Sequence, residues 1–126
     1  MITEVRNKIY SLGSAVTGLS GRFYYLEAPQ GTPKPYAVFS QVANPQTRDT
    51  ASKFEDIYFQ INHYGVSASA LETIAKASRA AFEDSESGWS LSEYHLDRIE
   101  FQLSRDGKLD EVFQITHQYK LELTKL

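Results

Sequence analysis

The chain has 126 residues, enough for one hydrophobic core but not for two, so we expect a single domain over residues 1–126. Its composition of 41% hydrophobic and 23% charged residues is ordinary for a folded protein, and the lack of cysteine excludes disulfides, thiolate metal sites and cysteine nucleophiles. A formal net charge of −3 argues against direct recognition of nucleic acid, because gripping a phosphate backbone needs clustered lysine and arginine.

The first predicted element is an amphipathic helix that ends near Gly18 or Gly21. Apolar residues at alternating spacings of three and four place one stripe on its surface: Ile2, Val5, Ile9, Leu12 and Val16. Polar residues interrupt the segment too often for a signal peptide or a membrane span. We therefore expect a protein that is kept in the cytoplasm and has no membrane partner.

The stretch "RFYYLEAP" is predicted to be either a short strand or an extended connector. It leads into a proline-rich segment. Pro29, Pro33 and Pro35 each fix their own backbone and push the preceding residue toward an extended form. We call residues 29–35 the proline bracket and expect it to be semi-rigid.

Two strands, "PYAVFSQVA" and "FEDIYFQINHY", come next and are predicted to pair as a hairpin. The second strand alternates, with apolar residues such as Phe59 on one face and Tyr58, Gln60 and Asn62 on the other. The loop between them, residues 44–53, contains no large apolar residue to anchor it. We expect this loop to be mobile in the free protein.

A second helix is predicted to begin at a capping box formed by Ser69 and Glu72. Its predicted buried face consists of Leu71, Ile74, Ala75, Ser78 and Phe82. The small residues in this set favour close packing of the helix on a sheet.

The last two predicted strands, "YHLDRIEFQLS" and "EVFQITHQYKLEL", are joined through Asp106-Gly107. A two-residue loop there would place their apolar residues on opposite faces, so we expect a three-residue loop that sets Phe101 opposite Phe113 and Asp97 opposite His117. The predicted order is α-β-β-α-β-β. This is an α+β fold with two helices on one face of a mainly antiparallel sheet of two hairpins.

The sequence lacks the motifs of common catalytic and cofactor sites. It contains no nucleophile elbow and no phosphate-binding glycine loop, so we expect no catalytic residue and no cofactor. His63, His95, His117 and Asp97 could together ligate a metal, but their spacing does not match a metal motif, and we predict no metal site. The alternative is a small metal-binding or ligand-binding domain that uses the three histidines.

Eight tyrosines raise two further possibilities. A tyrosine-rich sheet could stack nucleic-acid bases, but few cations accompany the rings. Aromatic residues that face outward from a strand are more often part of a protein interface. We favour the interface interpretation for Tyr58.

The segment "APQGTPKPYAVF" resembles the tail terminator, or tail completion, proteins that join heads to tails in long-tailed bacteriophages and prophages. The resemblance extends in layout over the whole chain, with specific residue identity over residues 28–39. It implies an α+β subunit without catalytic activity. The implied assembly is a ring, usually a hexamer, that caps the tail tube and contacts both the tail tube protein and the head-tail connector protein.

The resemblance also implies where assembly contacts lie. The matching bracket residues are Pro29, Gly31, Pro33, Pro35 and Tyr36, although a rigid crossover inside one subunit is an equally good explanation of them. To these we add residues in or next to the predicted loop tips and on the outward strand face: Arg48, Asp49, Lys53, Tyr58, Arg105, Asp106 and Lys108. Another neck or minor tail protein of the same virion is an alternative. We expect the protein in the host cytoplasm during assembly and then at the tail-neck junction of the virion.

Overall fold

A computed structural model describes residues 1–42 and 53–126. Two α-helices, a short 3₁₀ helix at Glu86–Gly88 and five strands follow one another in these residues. In chain order they are α1 (Thr3–Ser14), β1 (Phe23–Tyr25), β2 (Tyr36–Gln41), β3 (Phe54–Gly65), α2 (Ala68–Glu83), β4 (Tyr94–Leu109) and β5 (Val112–Lys125). The predicted α+β fold is confirmed, and "RFYYLEAP" contributes a short strand.

The five strands form one sheet in the order β1-β2-β3-β5-β4. β1 runs parallel to β2, whereas the other neighbours are antiparallel. Because two parallel neighbours cannot be joined by a tight hairpin turn, the chain between them crosses over the sheet, and the proline bracket forms part of this crossover. Its Lys34–Pro35 peptide bond is cis.

Both helices contact the same face of the sheet, which we call the helix face. Alternate residues of β3, Ile57, Phe59 and Ile61, are buried there, as predicted. Their neighbours, including Tyr58 and Gln60, lie on the opposite face, which we call the open face. No helix of the described residues packs on the open face.

Helix α1 packs through the predicted stripe, with Val5 and Ile9 buried. The predicted end near Gly18 or Gly21 was wrong, because the helix ends at Ser14 and the buried Val16 lies beyond it. Near its end, Gly13 touches the ring of Phe23 so closely that an added Cβ would lie 2.2 Å from a ring carbon. Glycine is needed here because of this approach, which joins α1 to β1.

Replacing Gly13 with alanine should therefore destabilise the fold by about 1 to 2 kcal/mol, because overpacking against Phe23 outweighs the gain in helix propensity. The matched control is Gly88→Ala, since an added Cβ at Gly88 meets no atom of the described residues within 4 Å. Urea unfolding of both variants measures the effect. A Gly13→Ala variant as stable as the wild type would show that Phe23 moves aside at no cost.

Helix α2 buries the predicted residues Leu71, Ile74, Ala75, Ser78 and Phe82. The predicted cap was wrong, because the helix begins at Ala68 and its N-cap is Ser67, whose hydroxyl accepts a hydrogen bond from the Ala70 N–H at 3.4 Å. Ser67 has the extended backbone that an N-cap requires, whereas Ser69 already lies in the first turn.

The predicted register of the second hairpin was also wrong. Its turn lies at Asp110-Glu111, with Asp110 in the left-handed region at φ 55°, and Asp106-Gly107 lies inside β4. Phe101 is opposite Tyr119, and Ser104 rather than Asp97 is opposite His117. The pairing shifts between Phe101 and Leu103 and again between Leu96 and Arg98. A two-residue turn alone would place Phe101 and the apolar residues of β5 on opposite faces. The shift between Phe101 and Leu103 brings them onto the same face.

Candidate assembly surfaces

Hydrogen bonds hold the chain shortly before the proline bracket and at the end of the bracket. The Leu26 N–H donates to the Phe39 carbonyl at 2.9 Å, and the Arg22 Nε–H donates to the Pro35 carbonyl at 2.9 Å. Within it, the Thr32 hydroxyl donates to the Pro29 carbonyl at 2.5 Å. These bonds hold a mostly exposed segment against the sheet, and its stiffness stays a prediction.

The bracket forms one wall of a hollow of about 480 Å³ on the open face. Tyr36, Val38, Asn62 and Tyr64 lie on β2 and β3 at its floor. The rings of Tyr36 and Tyr64 stack with their centroids 5.1 Å apart. Tyr36, a predicted contact residue, is therefore half-buried and held by a neighbouring ring.

A second hollow, of about 540 Å³, lies at the β1 edge of the sheet. We call it the tyrosine hollow, and its lining consists of Tyr10, Tyr24, Tyr25, Glu27, Ala28, Pro29 and Gln30. Tyr10 is 49% exposed although it belongs to α1. Among the described residues that line this hollow, Glu27 is the one that carries a charge. The hollow is aromatic with an acidic rim.

The opposite edge of the sheet is the outer side of β4, where residues 102–109 are all exposed. Cross-strand pairing places Leu103 opposite Gln118, Arg105 opposite Thr116 and Leu109 opposite Val112, which puts these three β4 residues on the open face. Leu103 is 41% exposed and Leu109 is 78% exposed. Two leucines therefore flank a cation along an unpaired strand edge.

Asp106 and Lys108 lie on β4 beside Arg105 but project to the helix face, since their partners on β5 are Ile115 and Phe113. Asp106 borders a cleft next to α2. The Lys108 Nζ lies 4.9 Å from the centroid of the Phe113 ring. The three charged residues predicted for this hairpin thus face two different sides.

Tyr58 lies in the middle of the open face. The Lys120 Nζ is 6.0 Å from its ring centroid and 3.3 Å from the Glu122 carboxylate. Beside it, Thr116 donates to the Asn62 side chain at 2.6 Å, and Gln114 donates to the same oxygen at 3.1 Å. The open face is consequently a polar surface with tyrosines rather than a continuous apolar patch.

The predicted contact residues fall into separate groups. The four predicted residues of the bracket and the adjacent Tyr36 lie together at the β1-β2 side, while Arg105, Asp106 and Lys108 lie at the β4 edge. Lys53 is exposed next to the start of β3, where its carbonyl accepts from the Lys125 N–H. Arg48, Asp49 and the predicted mobility of residues 44–52 lie outside the described residues.

Four residues of these surfaces were not predicted from the sequence: Tyr24, Glu27, Leu103 and Leu109. The signal for the last two was present in "LSRDGKL", where a leucine stands at each end of a charged run. Nothing in the sequence near Glu27 indicated that it would stand beside Tyr10 of the first helix.

The three histidines do not come together. His63 and His117 are buried neighbours on the helix face with ring centroids 5.1 Å apart, and the His63 Nδ1–H donates to the Ile115 carbonyl at 2.9 Å. Burial lowers the pKa of His63 to about 4 and the pKa of His117 to about 4. His95 is exposed at the other end of the sheet, opposite Thr124.

Asp97 contacts the His95 Nδ1 at 2.9 Å and accepts a hydrogen bond from the Thr124 hydroxyl, so its predicted contact with His117 was wrong. Within residues 1–42 and 53–126, no three histidine, cysteine, aspartate or glutamate side chains are placed to hold a metal ion. Across the same ranges, neither helix has the length and apolar character that crossing a membrane requires.

Exposed surfaces at both edges of a sheet are typical of a protein that assembles with other proteins. Residues 12–120 match the family described as tail completion protein gp17, and the chain belongs to this family. It is thus a structural protein of the phage tail, and the predicted resemblance to tail completion proteins is confirmed.

A solved structure of the virion of a native gene transfer agent particle contains a similar chain. The two share 19% sequence identity with a TM-score of 0.67, and the match covers 92% of this chain and 91% of that chain. This likeness shows a shared fold. No curated protein matches the sequence.

Proposed function

We propose that this protein is a non-enzymatic tail terminator. Its copies form a ring, with six subunits by the family resemblance, that stacks on the last ring of the tail tube and stops its growth. The ring then joins the tail to the head connector. Membership of the tail completion family supports a role in the virion tail.

One observation carries the ring assignment: the two exposed surfaces lie at opposite edges of the sheet. The proline bracket and the tyrosine hollow lie at the β1 side, and the bare strand edge belongs to β4. A contact between two different patches on opposite sides of a subunit repeats from copy to copy and closes into a ring if the rotation allows.

The proposed partners are other copies of the chain, the tail tube protein and the head-tail connector protein. Residues 1–126 act as one domain in this assembly, with contact residues in the bracket, at Tyr58 and at the β4 edge. The protein acts first in the host cytoplasm and afterwards at the tail-neck junction.

Sedimentation velocity over a wide concentration range tests the proposal, followed by polymerisation of the tail tube protein with and without the purified chain. We expect a discrete ring-sized species, and shorter tubes that carry the protein at one end. A chain that stays monomeric at every concentration and leaves the tube length unchanged would overturn the assignment.

A further inference from the structure

The two bare edges of the sheet belong to different strands. Within the described residues, β1 and β4 each pair on one side only. An unpaired edge offers backbone N–H and C=O groups to another chain, and a long one such as the 16-residue β4 is covered or charged in most proteins. β4 has charged residues along this edge, but it also carries the exposed Leu103 and Leu109, which is typical of an edge that is covered in an assembly.

The open-face side of the β4 edge has a defined chemistry. Leu103, Arg105 and Leu109 lie along it as an apolar residue, a cation and a second apolar residue. A partner surface must bury the leucines and offer the guanidinium an aromatic ring, a carboxylate or both.

The tyrosine hollow matches these requirements. Tyr10 and Tyr24 supply rings that pack on leucine and stack with arginine, and Glu27 supplies the opposite charge. The chain itself contains a contact of this kind, since the Arg6 guanidinium, outside the lining of the hollow, lies 5.3 Å from the centroid of the Tyr25 ring. The hollow is also at the sheet edge opposite β4, so both surfaces of a repeating contact are present on every copy.

We propose that the β4 edge of one copy docks in the tyrosine hollow of the next, with Arg105 against Glu27 and the tyrosine rings. This inference rests on the proposed function and names the contact that builds the ring. The occupant of the hollow is a second copy of this chain, because the matching cation between two leucines lies on the chain itself.

Disulfide cross-linking tests the contact cleanly, since the natural chain has no cysteine. The variant with Glu27→Cys and Arg105→Cys should give, on oxidation at high concentration, a ladder of dimer, trimer and larger products. Neither single-cysteine variant should cross-link, because the contact joins position 27 to position 105. The control pair, Glu27→Cys with Lys125→Cys, should give about tenfold less product.

Charge exchange provides the second test. Glu27→Arg and Arg105→Glu should each raise the concentration needed for self-association by about tenfold or more, and the double variant should restore it. The control is Lys125→Glu, which reverses the charge of an exposed residue that lies opposite Tyr94, at the other end of the β4-β5 hairpin from Arg105. It should leave self-association unchanged.

The outcomes separate this inference from the proposed function. A chain that forms rings but shows no ladder and no rescue by charge exchange would overturn the contact and leave the ring standing. Dimers from a single-cysteine variant would show a two-fold contact and would overturn it as well. A chain that neither associates nor binds tube ends would overturn both.

Discussion

Lowering the pH from 7 to 5 is expected to reduce the free energy of unfolding by about 3 kcal/mol. Burial lowers the pKa of His63 and that of His117 to about 4 in the folded protein, below the value of 6.5 for an exposed histidine. The unfolded chain therefore binds more protons than the folded chain between these values. Stability is complete above about pH 6.5 and is lost as the pH falls toward 4.

The surroundings of the pair explain why neither imidazole takes up a proton easily. The His63 Nε2 and the His117 Nδ1 are buried and have no hydrogen-bond partner among the described residues, and the two rings would repel each other if both were charged. Arg79 on α2 further lowers the pKa of His117. The cleft beside His117 also contains Glu72 and Lys76 of α2 and Asp106 of β4.

Two variants make this prediction specific. His117→Phe removes one titrating ring among aromatic neighbours and should reduce the loss of stability between pH 7 and pH 5 by about half. His95→Asn changes an exposed histidine, whose side chain is 69% accessible, and should leave the loss unchanged. Urea unfolding at each pH measures both. An equal loss of stability in all three proteins would show that the buried pair is not the cause.

The elements of the fold could be predicted because their signals are local. The three-four spacing of Val5 and Ile9 and the alternation around Phe59 each report one buried face. The register of the last hairpin could not be predicted in the same way. The alternation of apolar residues showed that Phe101 must share a face with the apolar residues of β5. A turn with an odd number of residues meets this requirement, but so does a two-residue turn followed by a shift of register between Phe101 and Leu103.

The candidate surfaces were predictable only in part. The proline bracket is a local feature, and its residues do lie together beside β2. The tyrosine hollow depends on β1 pairing with β2 at the sheet edge, so that Tyr24 and Glu27 line the same hollow as Tyr10 of α1. The exposure of Leu109 depends on the position of the turn at Asp110. The tyrosine hollow and the exposed Leu109 both depend on how the strands pair in the folded sheet, and this pairing cannot be read from a single sequence.

The largest effect of a single substitution is expected at Phe82, with a loss of about 3 to 5 kcal/mol in Phe82→Ala. Its ring is fully buried, and its centroid lies 5.5 Å from that of Tyr119, 5.9 Å from that of Phe59 and 6.4 Å from that of Phe23. Phe82 therefore joins α2 to the edge strand β1 and to the central strands β3 and β5. Removing the ring leaves a cavity where these elements meet.

The matched control is Phe101→Ala, because Phe101 also contacts Tyr119 but is half-buried at the β4 side under the Arg79 guanidinium, 3.7 Å from its ring centroid. It should cost about 1 to 2 kcal/mol, since less apolar surface returns to water. Urea unfolding at neutral pH compares the two variants. If Phe101→Ala were the more damaging, the packing centre of the helix face would lie near β4 rather than at Phe82.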